Sequence, residues 1–177
     1  MRTLRIGLCQ INTTVGDIEG NTKKILNYIA KGKKMRADLL AFPEMAITGY
    51  PPEDLLLMPK FIDANLKAVK NIAKATSSIT AIVGFVNKDG DIFNSAALLH
   101  EGKLIDVYSK IYLPNYGVFD EYRVFARGPL PGPVGFRGVR LGLVFDQLSY
   151  TGSWFERLQN RLKFMLTMAA QGKQMQK

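Results

Sequence analysis

The chain has 177 residues, of which 47% are hydrophobic and 22% charged, so it is long enough for one domain with a core and too apolar to be disordered. Its formal net charge of +9 invites a polyanionic partner, but the basic residues are scattered and lack interleaved aromatics, so we expect no nucleic-acid partner. With a single cysteine, Cys9, and no long apolar run, we expect no internal disulfide, no membrane partner and a cytoplasmic location.

The beginning of the chain predicts a strand followed by a helix. Residues Leu4 to Ile11 are a short apolar run, and a polar stretch with turn residues comes next. We expect Asn21 to cap a helix whose apolar residues recur at helical spacing, namely Ile25, Leu26 and Ile29. The helix should end at Gly32 and a basic cluster that suits a helix C-terminus, made of Lys31, Lys33, Lys34 and Arg36.

The next elements complete a β-α-β unit and place a carboxylate at a strand end. Residues Asp38 to Phe42 predict a brief buried strand that runs directly into Pro43 and Glu44. An amphipathic helix is predicted from Lys60 to Ala75, because its apolar and lysine residues fall on opposite sides.

Four further strands are predicted, over Ile79 to Val86, Phe93 to His100, Gly102 to Tyr108 and Val139 to Phe145. The stretch from Arg127 to Gly138 is rich in Gly and Pro and is predicted to be a loop. Trp154 to Met168 fits an amphipathic helix, and the last residues are polar. Alternating strands and helices indicate an α/β layered fold, although periodicity alone cannot separate a two-sheet sandwich from an open doubly wound sheet.

Three segments carry the candidate chemistry: Ala41 to Pro52, Tyr108 to Tyr116, and Gly117 to Phe125. They contain a Pro-Glu pair after one apolar strand and a lysine, followed by Leu-Pro, after another. In this order and spacing the segments resemble the nitrilase superfamily of carbon-nitrogen hydrolases. The Asn-Tyr-x-Val-Phe-Asp-Glu continuation and the run from Val15 to Asn21 narrow the resemblance to the glutaminase domain of glutamine-dependent NAD synthetases.

The resemblance covers about Leu4 to Phe145 and implies an α/β fold, a partial α-β-β-α sandwich of the nitrilase type. It also implies amide hydrolysis of glutamine by a cysteine-glutamate-lysine triad. By position Glu44 matches the general base, Lys110 the residue that stabilises the oxyanion, and Glu121 a second glutamate that orients the lysine and water. Three aromatic residues match the walls of the glutamine pocket: Tyr50, Tyr116 and Phe119.

Each of these residues also has a purely structural interpretation. Glu44 could cap a helix, Lys110 could be a solvated lysine at a strand end, and the aromatics could fill a core. His100, the only histidine, lies beside a turn and away from any cluster at metal-ligand spacing, so we expect a surface or pairing role and no metal site.

The chain departs from the family pattern at the nucleophile. After the strand that ends at Phe145, the family has a cysteine where this chain has Asp146. Cys9 lies inside the first predicted strand, so we expect a buried packing residue and not a displaced nucleophile. Attack by an aspartate on an unactivated amide would have to form a mixed anhydride, and a third carboxylate beside Glu44 and Glu121 would add repulsion. The glutamine amidohydrolase activity that the resemblance implies should therefore fail.

A second departure is length. We expect residues 1–148 to form an incomplete nitrilase-type amidase domain and 149–177 a divergent tail, a helix followed by disorder. The resemblance implies no cofactor in this domain, since ATP and Mg²⁺ belong to a synthetase half that does not follow here. It implies glutamine or a similar small amide as ligand, and association with itself or homologous chains. Three functions stay open: an inactive relative of the glutaminase domain, a non-catalytic binding or assembly module, and another carbon-nitrogen hydrolase.

Overall fold

The computed structural model describes residues 3–113, 115, 120–130, 132–145 and 164–168, with backbone alone for 144, 145 and 164–168. Its two helices are α1 (Ile18–Lys34) and α2 (Pro59–Lys74), and short 3-10 helices cover Glu53–Leu57 and Glu121–Arg123. The strands are β1 (Ile6–Leu8), β2 (Leu39–Ala41), β3 (Thr80–Asp89), β4 (Asp91–His100), β5 (Lys103–Ser109), β6 (Val134–Phe136), β7 (Val139–Phe145) and β8 (Phe164–Met168). Within the described residues neither helix is long and apolar enough to cross a membrane.

The strands form two sheets. The larger has the order β1-β2-β3-β4-β5, in which β1, β2 and β3 are parallel and β4 is antiparallel to both β3 and β5. The smaller contains β6, β7 and β8. The predicted tight turn joins β4 to β5 through Glu101 and Gly102, which both have positive φ, as a two-residue hairpin requires.

Alternate side chains of the larger sheet enter two different cores. In β2 and β3, Leu40, Ala81 and Val83 point to a core shared with α1 and α2, which supply residues such as Ile25 and Ile72. Their neighbours, including Leu39 and Ile82, point the other way and pack against Leu141 and Leu143 of β7. The layers are therefore helices, five-stranded sheet and second sheet, which confirms a sandwich and answers the question that periodicity left open.

Two predictions for the later part of the chain are wrong at particular residues. The segment predicted as a loop over 127–138 contains β6, which pairs with β7 through a turn at Arg137 and Gly138, both with positive φ. The helix predicted over 154–168 fails for its last five residues, because 164–168 form β8, parallel to β7. A short apolar run fits a buried strand as well as a helix, and pairing with β7 decides between them. Residues 154–163 and 169–177 lie outside the described part.

Candidate active site

The candidate residues meet at one edge of the larger sheet. Because β2 and β5 both run parallel to β3, their carboxyl ends share an edge, and the antiparallel β4 begins there. Glu44 follows β2 by three residues, Lys110 follows β5 directly, and Asn94 lies near the start of β4. Glu121 opens the second 3-10 helix and completes the cluster.

The two glutamates and the lysine form one buried ionic cluster. Lys110 Nζ donates to Glu44 Oε1 at 2.9 Å and to Glu121 Oε1 at 3.2 Å. Glu121 Oε2 also lies 3.2 Å from Nζ but makes no hydrogen bond within the described residues. The three residues are only 3%, 3% and 5% exposed, for Glu44, Lys110 and Glu121 respectively. Both the helix-capping interpretation of Glu44 and the solvated interpretation of Lys110 are therefore wrong.

One lysine faces two carboxylates, and burial of this cluster changes the pKa of Glu121. Burial raises the pKa of Glu121 to about 6, with Glu44 adding to the rise and Lys110 and the Tyr50 hydrogen bond opposing it. Tyr50, predicted as a pocket wall, donates its hydroxyl to Glu121 Oε1 at 3.2 Å. A carboxylate held against an ammonium out of water can accept a proton, and the ammonium can stabilise a developing oxyanion.

Asn94 is a member of the cluster that the sequence analysis missed. It is fully buried, and its Nδ2 donates to Glu44 Oε1 at 2.5 Å. The available signal was a polar pair, Asn94 and Ser95, inside an otherwise apolar strand. Such a pair inside a buried strand needs partners, but only the strand register identifies Glu44 as one of them.

The turn that presents Glu44 packs directly on β3. A Cβ at Gly84 would lie 2.3 Å from Pro43 O and 2.4 Å from Met45 N, so only glycine lets this backbone approach. Phe42 N donates to Ile82 O at 2.9 Å on one side of the turn, and Ile47 N donates to Gly84 O at 3.3 Å on the other. Met45 itself has a φ of 49°, an uncommon conformation for a residue with a side chain.

A second loop is held against the Glu44 turn by Asn21. The predicted cap is wrong: Asp17 is the N-cap of α1, accepting from Gly20 N at 2.9 Å. Asn21 instead lies buried within the helix, where its Nδ2 donates to Thr14 O at 2.7 Å and to Ile47 O at 3.0 Å. Its side chain thus joins the loop before α1 to the loop that carries Glu44.

The predicted burial of Cys9 is confirmed, since the residue packs in the core on the helix side of the sheet. Burial raises the pKa of its thiol to about 11, so the thiol stays protonated near neutral pH. His100 has the pairing role predicted for it, with Nδ1 2.8 Å from Thr80 Oγ1. Among the described residues no group of three or more His, Cys, Asp or Glu side chains could hold a metal ion.

Three predicted site residues lie outside the described part of the chain: Tyr116, Phe119 and Asp146. The structure therefore brings together Glu44, Lys110, Glu121 and Tyr50, and it adds Asn94 to them.

Known proteins are similar to this chain in sequence and in fold. The family model described as carbon-nitrogen hydrolase matches residues 5–150. The chain belongs to the carbon-nitrogen hydrolase family, which confirms the resemblance drawn from the motifs.

Within that family the chain is similar to glutamine-dependent NAD(+) synthetases. It is 45% identical to that of Thermotoga maritima over 130 residues and 44% identical to that of Xanthomonas campestris over 146 residues. The matches cover 72% and 80% of this chain but 23% and 26% of the relatives. The chain therefore spans about a quarter of the length of these relatives.

Solved structures agree with this placement. The glutamine-dependent NAD+ synthetase of Acinetobacter baumannii, in complex with ADP, matches with a TM-score of 0.87 and 32% identity, over 94% of this chain and 32% of that one. An amidase from Nesterenkonia sp. matches with a TM-score of 0.78 and 22% identity, over 97% and 66% of the two chains. The second likeness shows a shared fold alone.

Proposed function

We propose that this chain is a glutaminase-type domain related to NAD synthesis, that it binds glutamine or a similar small amide, and that Asp146 prevents it from hydrolysing that amide. The observation that carries the proposal is the buried cluster in which Lys110 contacts both Glu44 and Glu121. A buried charge cluster is costly to maintain, and here it is formed by the residues that match the family's motif.

The cluster suits hydrolysis by a relative with cysteine at the position of Asp146. Glu44 would take the thiol proton, the thiolate would attack the carboxamide carbon, and Lys110 would stabilise the negative oxygen. The C–N bond would then break, ammonia would leave with the proton held by Glu44, and water would release glutamate from the thioester. Glu121 would hold Lys110 in place, as its contact with Nζ supports.

An aspartate cannot replace the thiolate in this sequence of steps. Its attack on a carboxamide would expel a poor leaving group in order to form a mixed anhydride, an unfavourable exchange. Its charge would also join two carboxylates that already share one lysine. Binding of an amide requires neither nucleophilic attack nor loss of ammonia. Tyr50 and the proposed pocket walls Tyr116 and Phe119 could therefore still hold an amide.

We further propose that the domain needs no cofactor itself and that ATP and Mg²⁺ serve the synthetase part of the relatives. Its expected partners are the small amide and further copies of itself or homologous chains, in the cytoplasm. A different amide as ligand would place the chain with another group of carbon-nitrogen hydrolases.

The test is ammonia release from glutamine by the purified chain and by the Asp146→Cys variant, with Asp146→Cys/Glu44→Gln as the matched control. We expect no release from the native chain, release from Asp146→Cys, and loss of that release in the control. Glutamine binding to the native chain, followed by calorimetry, should persist. Release by the native chain that Glu44→Gln abolishes would overturn the inactivity, and absence of both binding and release would overturn the proposed function.

A further inference from the structure

The described residues include three asparagines with no exposed surface, Asn21, Asn65 and Asn94. The side chains of the first two bond only backbone groups: Asn21 bonds Thr14 and Ile47, and Asn65 bonds Val86. Asn94 differs because its amide donates to a charged side chain, Glu44. A buried amide that only completes a fold would be expected to satisfy backbone groups, as the other two do.

Asn94 also contacts the second charged residue of the site, through its backbone. Its carbonyl oxygen accepts from Lys110 N at 2.8 Å, and Lys110 O accepts from Gly128 N at 2.8 Å. One residue of β4 thus fixes the carboxylate of Glu44 with its side chain and the main chain of Lys110 with its carbonyl.

The chemistry of the amide suits that position. Asn94 Nδ2 and Lys110 Nζ both donate to the same carboxylate oxygen, Oε1 of Glu44, which fixes the rotation of the carboxylate. An amide supplies this hydrogen bond without adding charge, whereas an aspartate would place a third carboxylate next to Glu44 and Glu121. Within the described residues the hydrogen bond of the Asn94 side chain goes to Glu44, and its Oδ1 has no partner there.

We propose that Asn94 is a positioning residue that sets the carboxylate of Glu44 against Lys110 from β4. Its importance for catalysis rests on the proposed function, in which Glu44 is the general base. The contact between Asn94 and Glu44 does not depend on that function, and it can be tested without measuring catalysis.

The test moves the carboxylate from position 44 to position 94 in two substitutions and measures urea unfolding of each variant at pH 7.5. Asn94→Asp should lower the urea midpoint strongly, because two ionised carboxylates would then face each other beside one lysine. Adding Glu44→Gln returns the cluster to its original net charge and leaves the new carboxylate at position 94 to pair with Lys110. The double variant should therefore have a higher urea midpoint than Asn94→Asp alone. If Asn94→Asp does not fold at all, the double variant should fold and unfold at a measurable urea midpoint.

Asn65→Asp is the matched control, since Asn65 is equally buried but bonds only the backbone of Val86. Adding Glu44→Gln to it should give no recovery, because the two sites do not share a contact and their losses should add. If Glu44→Gln fails to raise the midpoint of Asn94→Asp, or raises that of Asn65→Asp by as much, the positioning role is overturned. Ammonia release by Asp146→Cys decides the proposed function separately, so either proposal can fail without the other.

Discussion

The two ends of the five-stranded sheet both carry charged side chains, but they differ in exposure. At the end where β2 and β5 finish, the side chains of Glu44, Lys110 and Glu121 are 1%, 3% and 6% exposed. At the opposite end, His100 and Glu101 are 39% and 61% exposed and lie 4.0 Å apart. The loops at the two ends also pack differently.

The loops confirm that contrast. At the site end, the Glu44 turn packs on Gly84 and the loop before α1 packs on Gly49, where a Cβ would lie 2.6 Å from the backbone of Val15. At the opposite end, nothing lies within 4 Å of a Cβ placed on Gly102. The closely packed loops around Glu44 exclude water from its surroundings. Charged groups interact strongly there, and leaving one of them unpaired is costly.

The largest expected effect comes from removing Lys110, the cation that the two buried glutamates share. Lys110→Met would leave Glu44 and Glu121 without their shared lysine, and we expect a loss of about 3–5 kcal/mol in the free energy of unfolding. Urea denaturation at pH 7 measures it. Lys103→Met, at the exposed start of the same strand, should change stability by less than about 0.5 kcal/mol. Equal losses would show that burial does not separate the two ends.

The second effect tests whether loop packing creates the buried end. Gly84→Ala places a methyl group against the backbone of Pro43 and Met45, and we expect it to cost about 1–3 kcal/mol in stability. It should also displace Glu44 and weaken glutamine binding. Gly135→Ala on β6 is the control, because nothing lies within 4 Å of a Cβ there. A Gly84→Ala chain with native stability would contradict the role assigned to this contact.

The third effect is a pH dependence confined to the buried end. Glu121 has a pKa of about 6 in the folded chain against an ordinary 4.5, so the folded state holds its proton more tightly. The stability that this proton contributes, about 2 kcal/mol, is present below about pH 4.5 and is lost as the pH rises through 6.

The uncharged variant Glu121→Gln should lack this dependence. Its free energy of unfolding relative to the native chain should therefore rise by about 2 kcal/mol between pH 4.5 and 7.5. The control Gly135→Ala, which changes no titratable group, should run parallel to the native chain over the same range. Parallel curves for Glu121→Gln as well would show that Glu121 titrates as an ordinary glutamate.

Much of this arrangement could be predicted from the sequence. The elements that support the site follow from local patterns. The convergence of Glu44 and Lys110 is implied only by the family resemblance, and the shared edge of β2 and β5 in the structure explains it. Asn94 could not be predicted as a partner of Glu44. The turns of the two hairpins fix where Asn94 lies in β4 relative to β3 and β5. The contact with Glu44 also requires β2 to pair with β3, and that parallel pairing joins segments far apart in the chain that no local signal brings together.

The wrong predictions for the N-cap of α1 and for the loop that contains β6 also arise from tertiary contacts. Asp17 and Asn21 are both acceptable N-caps, and sequence alone cannot tell that tertiary hydrogen bonds to Thr14 and Ile47 draw Asn21 into the helix. In the Gly- and Pro-rich stretch, pairing with β7 overrides the local preference for a loop and produces β6.

The smallest expected effect lies at the exposed end. His100→Ala removes the 2.8 Å contact with Thr80. Thr80 is itself buried, but the His100 side chain that contacts its hydroxyl is 39% exposed, so its removal lets water reach that hydroxyl and we expect a loss of about 1 kcal/mol or less. A double-mutant cycle with Thr80→Val isolates the coupling between the two residues. The same cycle with Glu44→Gln and Lys110→Met should give a coupling several times larger. Coupling energies of equal size would mean that the closely packed loops around Glu44 do not strengthen its interaction with Lys110. Burial would then not explain the difference between the two ends of the sheet.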